Sequence, residues 1–406
     1  MTETVHILPA DFASGQWVGR VWDPETGGPR VVTVTAGPDG SAAVVDITHA
    51  APTVAGLMDL GDPLDVLAGA GDTPRWRLDD LVEASLAQDA SRPFLLAPID
   101  LQVVKACGVT FVDSMVERVI EERCAGDASR AAEVRAQVAQ ALGGSIGALR
   151  PGSPEAAHAK EVLIGQGMWS QYLEVGIGPD PEVFTKAPVL SSVGYGSRIG
   201  IPSFSDWNNP EPELVLIADS RGRLRGATLG NDVNLRDVEG RSALLLGKAK
   251  DNNASSALGP FIRLFDAAFT VDTLRTEEIS LAVAGADGYL LEGRNSVSRI
   301  SRSFEELAAA TCGAHHQYPD GFALFTGTLF APNQDRDTPG LGFTHKPGDA
   351  VSISSPHLGA LVNTTGVAEE LPAWEFGIRA LFAYLAAEGL AGAEPRHGRR
   401  DAPSSV

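Results

Sequence analysis

The chain has 406 residues, 44% hydrophobic and 21% charged, which is the composition of a soluble globular protein with a sizeable core. Its 52 acidic and 32 basic residues give a net charge of −20, which argues against nucleic acid or an anionic membrane surface as the main partner. The three cysteines are scattered, and neither a signal peptide nor a membrane-spanning stretch is visible, so we expect a cytoplasmic protein.

The first part of the chain alternates short apolar runs with turn signals, and we expect residues 1–105 to form a small β-rich N-terminal domain. Within it, RVVTVTAGPDGSAAVVDI predicts two strands joined through residues 37–40. Residues 106–165 are expected to form a helical connecting or lid segment. Helical spacing runs from Asp113 to Leu142, and Pro154 begins another short helical piece after a glycine-rich break.

From about residue 166 the pattern changes to many short strands with glycine-rich turns, and we expect one main domain over residues 166–392. The stretch ELVLIADSRGRLRGATLGNDV predicts a β-hairpin around residues 220–222. A helix is predicted in SFEELAAATC, where Ser303 and Glu306 form a capping box.

The C-terminal region contains one more predicted helix, in LPAWEFGIRALFAYLAAEGL. Its apolar residues share one helical face, which we expect to dock on the core: Trp374, Ile378, Leu381, Phe382 and Leu385. Residues 393–406 are polar and basic, and they are predicted to form a disordered tail.

Two carboxylates stand at the start of a buried-type strand in WNNPEPELVLIADSRG, where Glu211 and Glu213 are two residues apart. On a strand such residues share a face, and two like charges side by side cost energy unless a cation holds them. Asp232 follows nineteen residues later, about where the second arm of the hairpin ends. Alone, a Glu-x-Glu is ordinary on a solvated strand edge. Three converging carboxylates instead make an all-oxygen site suited to Mg²⁺, with Mn²⁺ or Ca²⁺ as alternatives.

A lysine follows this group, since Lys250 lies eighteen residues beyond Asp232 and precedes a polar turn. A lysine near a bound metal has its pKa lowered by like charge and burial, which makes it a candidate general base. The alternative is a surface lysine. Lys248, two residues away, is the less suitable candidate.

The blocks NPEPELVLI, GNDVNLRD and KAKDNNASSALGPF resemble the fumarylacetoacetate hydrolase superfamily, and further matching blocks extend the resemblance over residues 183–366. It implies an α+β, mainly β fold with a mixed β-roll catalytic domain. It also implies Mg²⁺ or Mn²⁺ on the three carboxylates, Lys250 beside a 2-oxo acid substrate, and a homodimer. The turn Thr326-Gly327-Thr328 matches one that helps to hold the substrate carboxylate in that superfamily.

The stretch GVTFVDSMVERVIEE separates two chemistries within the superfamily. Acylpyruvate hydrolases carry Gly-x-Asn-Tyr-x-x-His-x-x-Glu, whose histidine and glutamate activate water. Gly108, Phe111 and Glu117 match this frame, but Ser114 stands in place of the histidine. A serine cannot take a proton from water near neutral pH without a base of its own; His158 is a conceivable substitute.

The same stretch resembles the Gly-Val-Thr-Tyr…Ser…Arg…Glu pattern of the 2-keto-3-deoxy-sugar-acid dehydratases. That resemblance places Ser114 and Arg118 as substrate-binding residues, with Glu121 or Glu122 as the acid and Lys250 as the base. The alternative is that Arg118 and the two glutamates form ion pairs on an exposed helix.

The expected reaction is metal-dependent dehydration of a 2-keto-3-deoxy-pentonate to 2,5-dioxopentanoate through a metal-stabilised enolate. One alternative is a C–C bond hydrolase or decarboxylase acting on an acylpyruvate-type 2-oxo acid. Another is a non-catalytic binding protein that has kept the scaffold.

Overall fold

The computed structural model describes residues 6–37, 40–71, 73–142, 149–165, 167, 169–329, 332 and 334–391. The strands are β1 Trp17–Asp23, β2 Gly28–Ala36, β3 Ala42–Asp46, β4 Trp76–Arg77, β5 Phe94–Leu96, β6 Val103–Cys107, β7 Val183–Ala187, β8 Arg198–Ile201, β9 Asn208–Asn209, β10 Pro212–Ala218, β11 Leu224–Asp232, β12 Asn234–Leu235, β13 Ser256–Leu264, β14 Glu278–Ala284, β15 Leu290–Ser296, β16 Phe322–Phe325, β17 Ala350–Ser355 and β18 Gly359–Val367.

The helices are α1 Val54–Met58, α2 Pro63–Ala68, α3 Leu78–Ala87, α4 Val112–Cys124, α5 Ala131–Leu142, α6 Pro154–Gly165, α7 Gln171–Ile177, α8 Arg236–Glu239, α9 Leu246–Lys250, α10 Val271–Leu274, α11 Phe304–Thr311 and α12 Ile378–Ala387. None of the described helices is long and apolar enough to span a bilayer.

The largest sheet has eleven strands in the order β4-β3-β2-β1-β13-β11-β10-β16-β6-β7, with β5 paired to β1. The pair β16–β6 is parallel and the others are antiparallel. Because β1 pairs with β13, the N-terminal strands and the carboxylate hairpin β10–β11 share one sheet. The domain boundary at residue 105 stays a prediction.

Strand β10 shows why its sequence is a continuous aliphatic run. Leu214 and Leu216 belong to one core cluster, whereas Val215 and Ile217 belong to another. Alternate residues of a strand face opposite sides of the sheet, so both sides are covered here. Each of these side chains is completely buried, and burial of one such side chain stabilises the fold by about 1.5–3 kcal/mol.

A second sheet has the order β15-β14-β17-β18-β8, in which only β18–β8 is parallel. Its residues Ile279 and Ile353 share a core cluster with Leu216 and Leu229 of the large sheet. Strands β12 and β9 form a separate two-stranded pair. The mixed sheets with surrounding helices confirm the predicted α+β class.

The helical segment is divided more finely than its sequence predicts. Helix α4 ends at Cys124, because Ala125 and Gly126 both have left-handed backbone conformations, with φ of 53° and 77°. Helix α5 begins at Ala131, so the single helical run predicted for 113–142 was wrong. The predicted start of a helix at Pro154 is confirmed, while residues 143–148 of the glycine-rich break lie outside the described residues.

Other sequence predictions are confirmed. Strands β2 and β3 pair antiparallel, although residues 38–39 of their turn lie outside the described residues. Strands β10 and β11 form the predicted hairpin. Ser303 and Glu306 form both hydrogen bonds of the capping box at the start of α11.

The apolar face predicted for the C-terminal helix was only half right. Leu381 and Leu385 are buried, but Ile378 and Phe382 are 45% and 59% exposed, and Trp374 is exposed and precedes the helix. Tyr384 supplies the remaining buried position of α12. A Cβ on Gly28 would lie 2.3 Å from its ring, so this helix packs directly on the backbone of β2. The predicted tail, 393–406, lies outside the described residues.

Candidate active site

Three acidic side chains converge at one end of the β10–β11 hairpin. Glu211 immediately precedes β10, Glu213 lies in it, and Asp232 ends β11. The Asp232 backbone N–H donates to the Glu211 carbonyl at 3.1 Å, which sets the two residues opposite each other. One oxygen from each carboxylate lies within 4.8 Å of the others, and all three residues are buried. We call this group the carboxylate triad.

The carboxylate triad fits a hard divalent cation. Burial and the charges of Asp232 and Glu211 raise the pKa of Glu213 well above its usual range. Such crowding of buried acids is costly without a positive charge between them. All donors are carboxylate oxygens, which are the ligands that Mg²⁺, Mn²⁺ and Ca²⁺ prefer. Within the described residues, no second group of acidic, histidine or cysteine side chains comes together in this way.

Lys250 reaches the triad from the end of α9. Its Nζ lies 2.6 Å from Glu211 Oε2 and 3.1 Å from Asp232 Oδ2. Burial lowers the pKa of Lys250, but the charges of Asp232 and Glu211 outweigh burial, so the net pKa is above its usual range. The lowered pKa of Lys250 that the sequence predicts requires a cation bound on the triad. The carboxylates by themselves have the opposite effect.

A second buried lysine, Lys186 on β7, was missed by the sequence reasoning. Its Nζ pairs with Asp232 Oδ1 at 2.8 Å and donates to the backbone oxygens of Val233, at 3.1 Å, and Lys250. Burial lowers its pKa and Asp232 opposes that effect. The available signal was Glu-x-Phe-x-Lys in residues 182–186, because alternate residues on a strand share a face.

Arg118 connects helix α4 to the triad. It donates to Glu211 Oε1 and to Glu121, and its Nη1 lies 3.2 Å from Glu239 Oε2. Glu121 also pairs with Arg236 Nε at 2.9 Å. Burial raises the pKa of Glu121, while Arg118 and Arg236 oppose that rise. These ion pairs are buried at the triad, so the exposed-helix interpretation does not describe Arg118 and Glu121. Glu239 was missed by the sequence reasoning.

Glu122 points elsewhere, because it accepts a hydrogen bond from Ser170, the residue that caps α7. The hydroxyl of Ser114 donates to the Phe111 carbonyl at 3.2 Å, within its own helix. His158 is 78% exposed on α6, where its Nδ1 lies 3.9 Å from Glu161 Oε2.

A narrow cleft of about 10 Å³, room for about one water molecule, lies beside the triad. Its walls combine ionic and apolar residues that are far apart in sequence: Cys107, Gly108, Val109, Arg118, Glu182, Phe184, Glu211, Asp232, Glu239, Lys250 and Thr328. No histidine is among these described lining residues, and neither Ser114 nor Glu122 is.

Glu182 is, with Glu239, one of two acids in this cleft that were not predicted from the sequence. Burial, helped by the charge of Glu239, raises its pKa to about 7 against the opposing charge of Lys250. Its carboxylate lies directly on Gly108, where a Cβ would come within 1.9 Å of Oε2. A carboxyl with a pKa near neutrality can donate a proton at physiological pH.

The Thr326-Gly327-Thr328 turn closes the opposite side of the triad. Gly327 donates its backbone N–H to Glu213 Oε2 at 2.7 Å, and Thr326 Oγ1 donates to the Leu214 carbonyl at 3.0 Å. Thr328 is the member of the turn that lines the cleft. Gly327 therefore holds a triad carboxylate. Of the three residues of the turn, which were predicted to bind the substrate, Thr328 is the one positioned to contact it.

No protein-family model matches the chain. It is 33% identical over 182 residues to 2-dehydro-3-deoxy-D-arabinonate dehydratase of Saccharolobus solfataricus, covering 45% of this chain and 57% of that protein. It is 30% identical over 197 residues to a probable 2-keto-3-deoxyxylonate dehydratase of Haloferax volcanii, covering 48% of this chain and 64% of that protein. The matched regions thus span less than two thirds of each curated relative.

A solved structure of 2-keto-3-deoxy-D-arabinonate dehydratase, complexed with magnesium and 2,5-dioxopentanoate, superposes on 86% of this chain and 99% of its own with a TM-score of 0.58 and 20% identity. This chain has the 2-keto-3-deoxy-D-arabinonate dehydratase fold. The predicted resemblance to the 2-keto-3-deoxy-sugar-acid dehydratases is confirmed over the matched 182 and 197 residues.

Proposed function

We propose that the chain is a Mg²⁺-dependent dehydratase that converts a 2-keto-3-deoxy-pentonate into 2,5-dioxopentanoate. The observation that carries this proposal is the carboxylate triad, with Lys250 on one side and Glu182 in the same cleft. A cation site, a base and an acid are the three parts that such a dehydration needs. The names of both curated relatives support this reading, since each is a dehydratase of a five-carbon 2-keto-3-deoxy acid.

Glu211, Glu213 and Asp232 would hold the divalent ion, for which Mn²⁺ has the same ligand preferences as Mg²⁺. When bound, the ion would draw electron density from the 2-oxo group, acidify the C3 proton and offset the carboxylate charges around Lys250. Each triad residue is buried, so these oxygens are protected from competition by bulk water.

We assign removal of the C3 proton to Lys250. It lines the cleft and its Nζ reaches two of the triad carboxylates. Lys186 also contacts the triad, but it donates to backbone oxygens and is not among the described residues that line the cleft. Lys248 is exposed, with its Nζ 4.4 Å from the centre of the Phe204 ring.

We assign donation of a proton to the leaving C4 hydroxyl to Glu182, in preference to the predicted pair Glu121 and Glu122. Glu182 lines the cleft and has a pKa of about 7. Glu121 is held by two arginines and Glu122 by Ser170. Loss of the C3 proton and the C4 hydroxyl releases one water, and migration of the double bond followed by tautomerisation of the enol gives 2,5-dioxopentanoate.

Arg118 and Thr328 are the proposed contacts for the substrate. Arg118 keeps its guanidinium at the cleft wall beside Glu239, where hydroxyl groups of a sugar acid find both donors and acceptors. Thr328 lines the cleft and follows Gly327, whose N–H holds Glu213. Ser114 lies one helical turn before Arg118. It would stabilise the start of α4 through its hydrogen bond to the Phe111 carbonyl.

Hydrolysis of an acylpyruvate is disfavoured, because His158 is exposed and the described cleft walls contain no histidine to activate water. We further infer a homodimer, as the superfamily resemblance implies, and a cytoplasmic location, to which three scattered cysteines are suited. Light scattering on the purified chain tests the dimer.

The decisive test is turnover of 2-keto-3-deoxy-pentonates by the purified chain in Mg²⁺ and in EDTA, with products identified by mass spectrometry. Loss of one water that depends on Mg²⁺ supports the proposal. Cleavage of an acylpyruvate into pyruvate and a second acid, with no reaction on the sugar acids, would overturn it.

A further inference from the structure

Lys186 occupies one oxygen of a triad carboxylate. Its Nζ pairs with Asp232 Oδ1 at 2.8 Å, while its contacts to the backbone oxygens of Val233 and Lys250 fix the ammonium in place. Lys186 is completely buried. Asp232 therefore has only Oδ2 on the side that faces Lys250, at 3.1 Å.

The other two carboxylates are constrained in the same way. The Gly327 N–H donates to Glu213 Oε2 at 2.7 Å, and Arg118 donates to Glu211 Oε1. Glu211 Oε2 then faces Lys250 at 2.6 Å. Each member of the triad thus has one oxygen held by Lys186, Arg118 or Gly327. Among the described residues, the second oxygens of Glu211 and Asp232 accept only from Lys250, the ammonium with which a bound cation would compete.

We propose that Lys186 and Arg118, by occupying Asp232 Oδ1 and Glu211 Oε1, keep both carboxylates monodentate and so make the triad select a small octahedral ion over Ca²⁺. This inference rests on the proposed metal dependence of the site. It assigns the side chains of Lys186 and Arg118 a role in metal selectivity, in addition to any contact that Arg118 makes with a substrate.

The physical basis is the difference in coordination between the two ions. Mg²⁺ requires near-ideal octahedral geometry with ligands at about 2.0–2.1 Å and keeps several waters, so three monodentate oxygens suit it. Ca²⁺ takes 6–8 ligands at about 2.3–2.6 Å and readily accepts bidentate carboxylates. A donor on the second oxygen removes the bidentate mode, which Ca²⁺ would otherwise use.

The test is calorimetric titration of the metal-free full-length chain with MgCl₂ and with CaCl₂, in the absence of substrate. The variants are Lys186→Met and Arg118→Met, each compared with the wild type. The matched control is Lys105→Met: Lys105 pairs with Thr185 on the neighbouring strand and donates to its Oγ1 at 2.9 Å, away from the triad.

The quantity to compare is the ratio of the dissociation constants for Ca²⁺ and Mg²⁺. Removing a positive charge strengthens binding of any divalent cation, but that effect cancels in the ratio. We expect the ratio to fall by about tenfold or more in both variants, since second-layer contacts typically change metal affinity by about 10–100-fold. Lys105→Met should leave it unchanged.

An unchanged ratio in the variants, with Mg²⁺ bound by the wild type, would overturn this inference and leave the proposed function standing. No Mg²⁺ binding by the wild type would overturn both. Circular dichroism establishes whether Lys186→Met folds, and if it does not, Arg118→Met decides the question by the same ratio.

Discussion

The backbone N–H of Gly327 donates to Glu213 Oε2 at 2.7 Å, so the Thr-Gly-Thr turn and the carboxylate triad are one structural unit. Gly327 has a φ of 99°, a conformation that glycine adopts readily and other residues do not. Thr110 lies against it and donates its hydroxyl to the Thr326 carbonyl at 2.6 Å. The position of Glu213 therefore depends on a glycine in this turn.

Gly327→Ala should destabilise the fold and weaken binding of Mg²⁺. A Cβ at this position would lie 2.0 Å from Thr110 Oγ1, in addition to the backbone strain. Strain of this kind costs about 1–3 kcal/mol, and overpacking adds about 1–3 kcal/mol. Thermal unfolding and calorimetric Mg²⁺ titration measure the two effects.

The matched control is Gly348→Ala. Gly348 has a φ of 89°, but a Cβ there meets no atom within 4 Å. This variant should lose only the strain energy and keep the Mg²⁺ affinity of the wild type. Equal effects of both substitutions would show that the contact with Thr110 does not matter.

Lys250→Met should lower turnover by at least about 100-fold, because general base catalysis typically contributes about 10²–10⁴-fold. Mg²⁺ binding should not weaken, since the substitution removes an ammonium that competes for Glu211 and Asp232 oxygens. Steady-state kinetics and calorimetry check both statements. Lys248→Met, two residues away and outside the described cleft walls, should keep wild-type turnover. A loss of turnover in both lysine variants would indicate an effect on helix α9 as a whole rather than loss of the base.

Glu182→Gln should separate proton removal from loss of water. Dehydration should fall by about 10²-fold or more, whereas Lys250 can still exchange the C3 proton of the substrate. Proton NMR in D₂O follows the exchange, and product analysis follows the dehydration. Glu122→Gln is the control, since Glu122 accepts from Ser170 and does not line the described cleft walls. Full dehydration by Glu182→Gln would return the role of acid to Glu121.

Sequence patterns were sufficient where an interaction is local along the chain. The hairpin that brings Glu211, Glu213 and Asp232 together follows from a continuous aliphatic run and a turn between two strands. The capping box at Ser303 follows from a spacing of three residues. Both depend on neighbours in sequence, and both are confirmed.

Contacts between residues that are distant in the sequence could not be predicted from local patterns. Lys186 lies on β7, which pairs with β6, and Glu182 immediately precedes that strand; both meet the triad only through the folded sheet. A glutamate after a proline looks like an ordinary surface residue, and its raised pKa comes from burial that no local pattern reports. The break at Ala125 and Gly126 was missed because alanine and arginine on both sides favour a helix.

The raised pKa of Glu182 also predicts how the stability of the metal-free chain depends on pH. In the folded state this pKa is about 7, against 4.5 for an unperturbed glutamate. Between these two values the unfolded chain releases the proton while the folded chain retains it. The free energy of unfolding that Glu182 contributes is therefore present at low pH and is lost as pH rises towards about 7.

Glu182→Gln removes this titration, so the variant should gain stability relative to wild type as pH rises from 5 to 8. The difference corresponds to at most about 3 kcal/mol, because each pKa unit is worth about 1.4 kcal/mol. Urea denaturation of both proteins in EDTA at the two pH values measures it, and other titrating groups cancel in the comparison. Glu122→Gln, tested in parallel, controls for loss of a carboxylate from this region. A constant difference between wild type and Glu182→Gln across this range would mean that Glu182 is already ionised at pH 5, and it would remove the basis for assigning it as the acid.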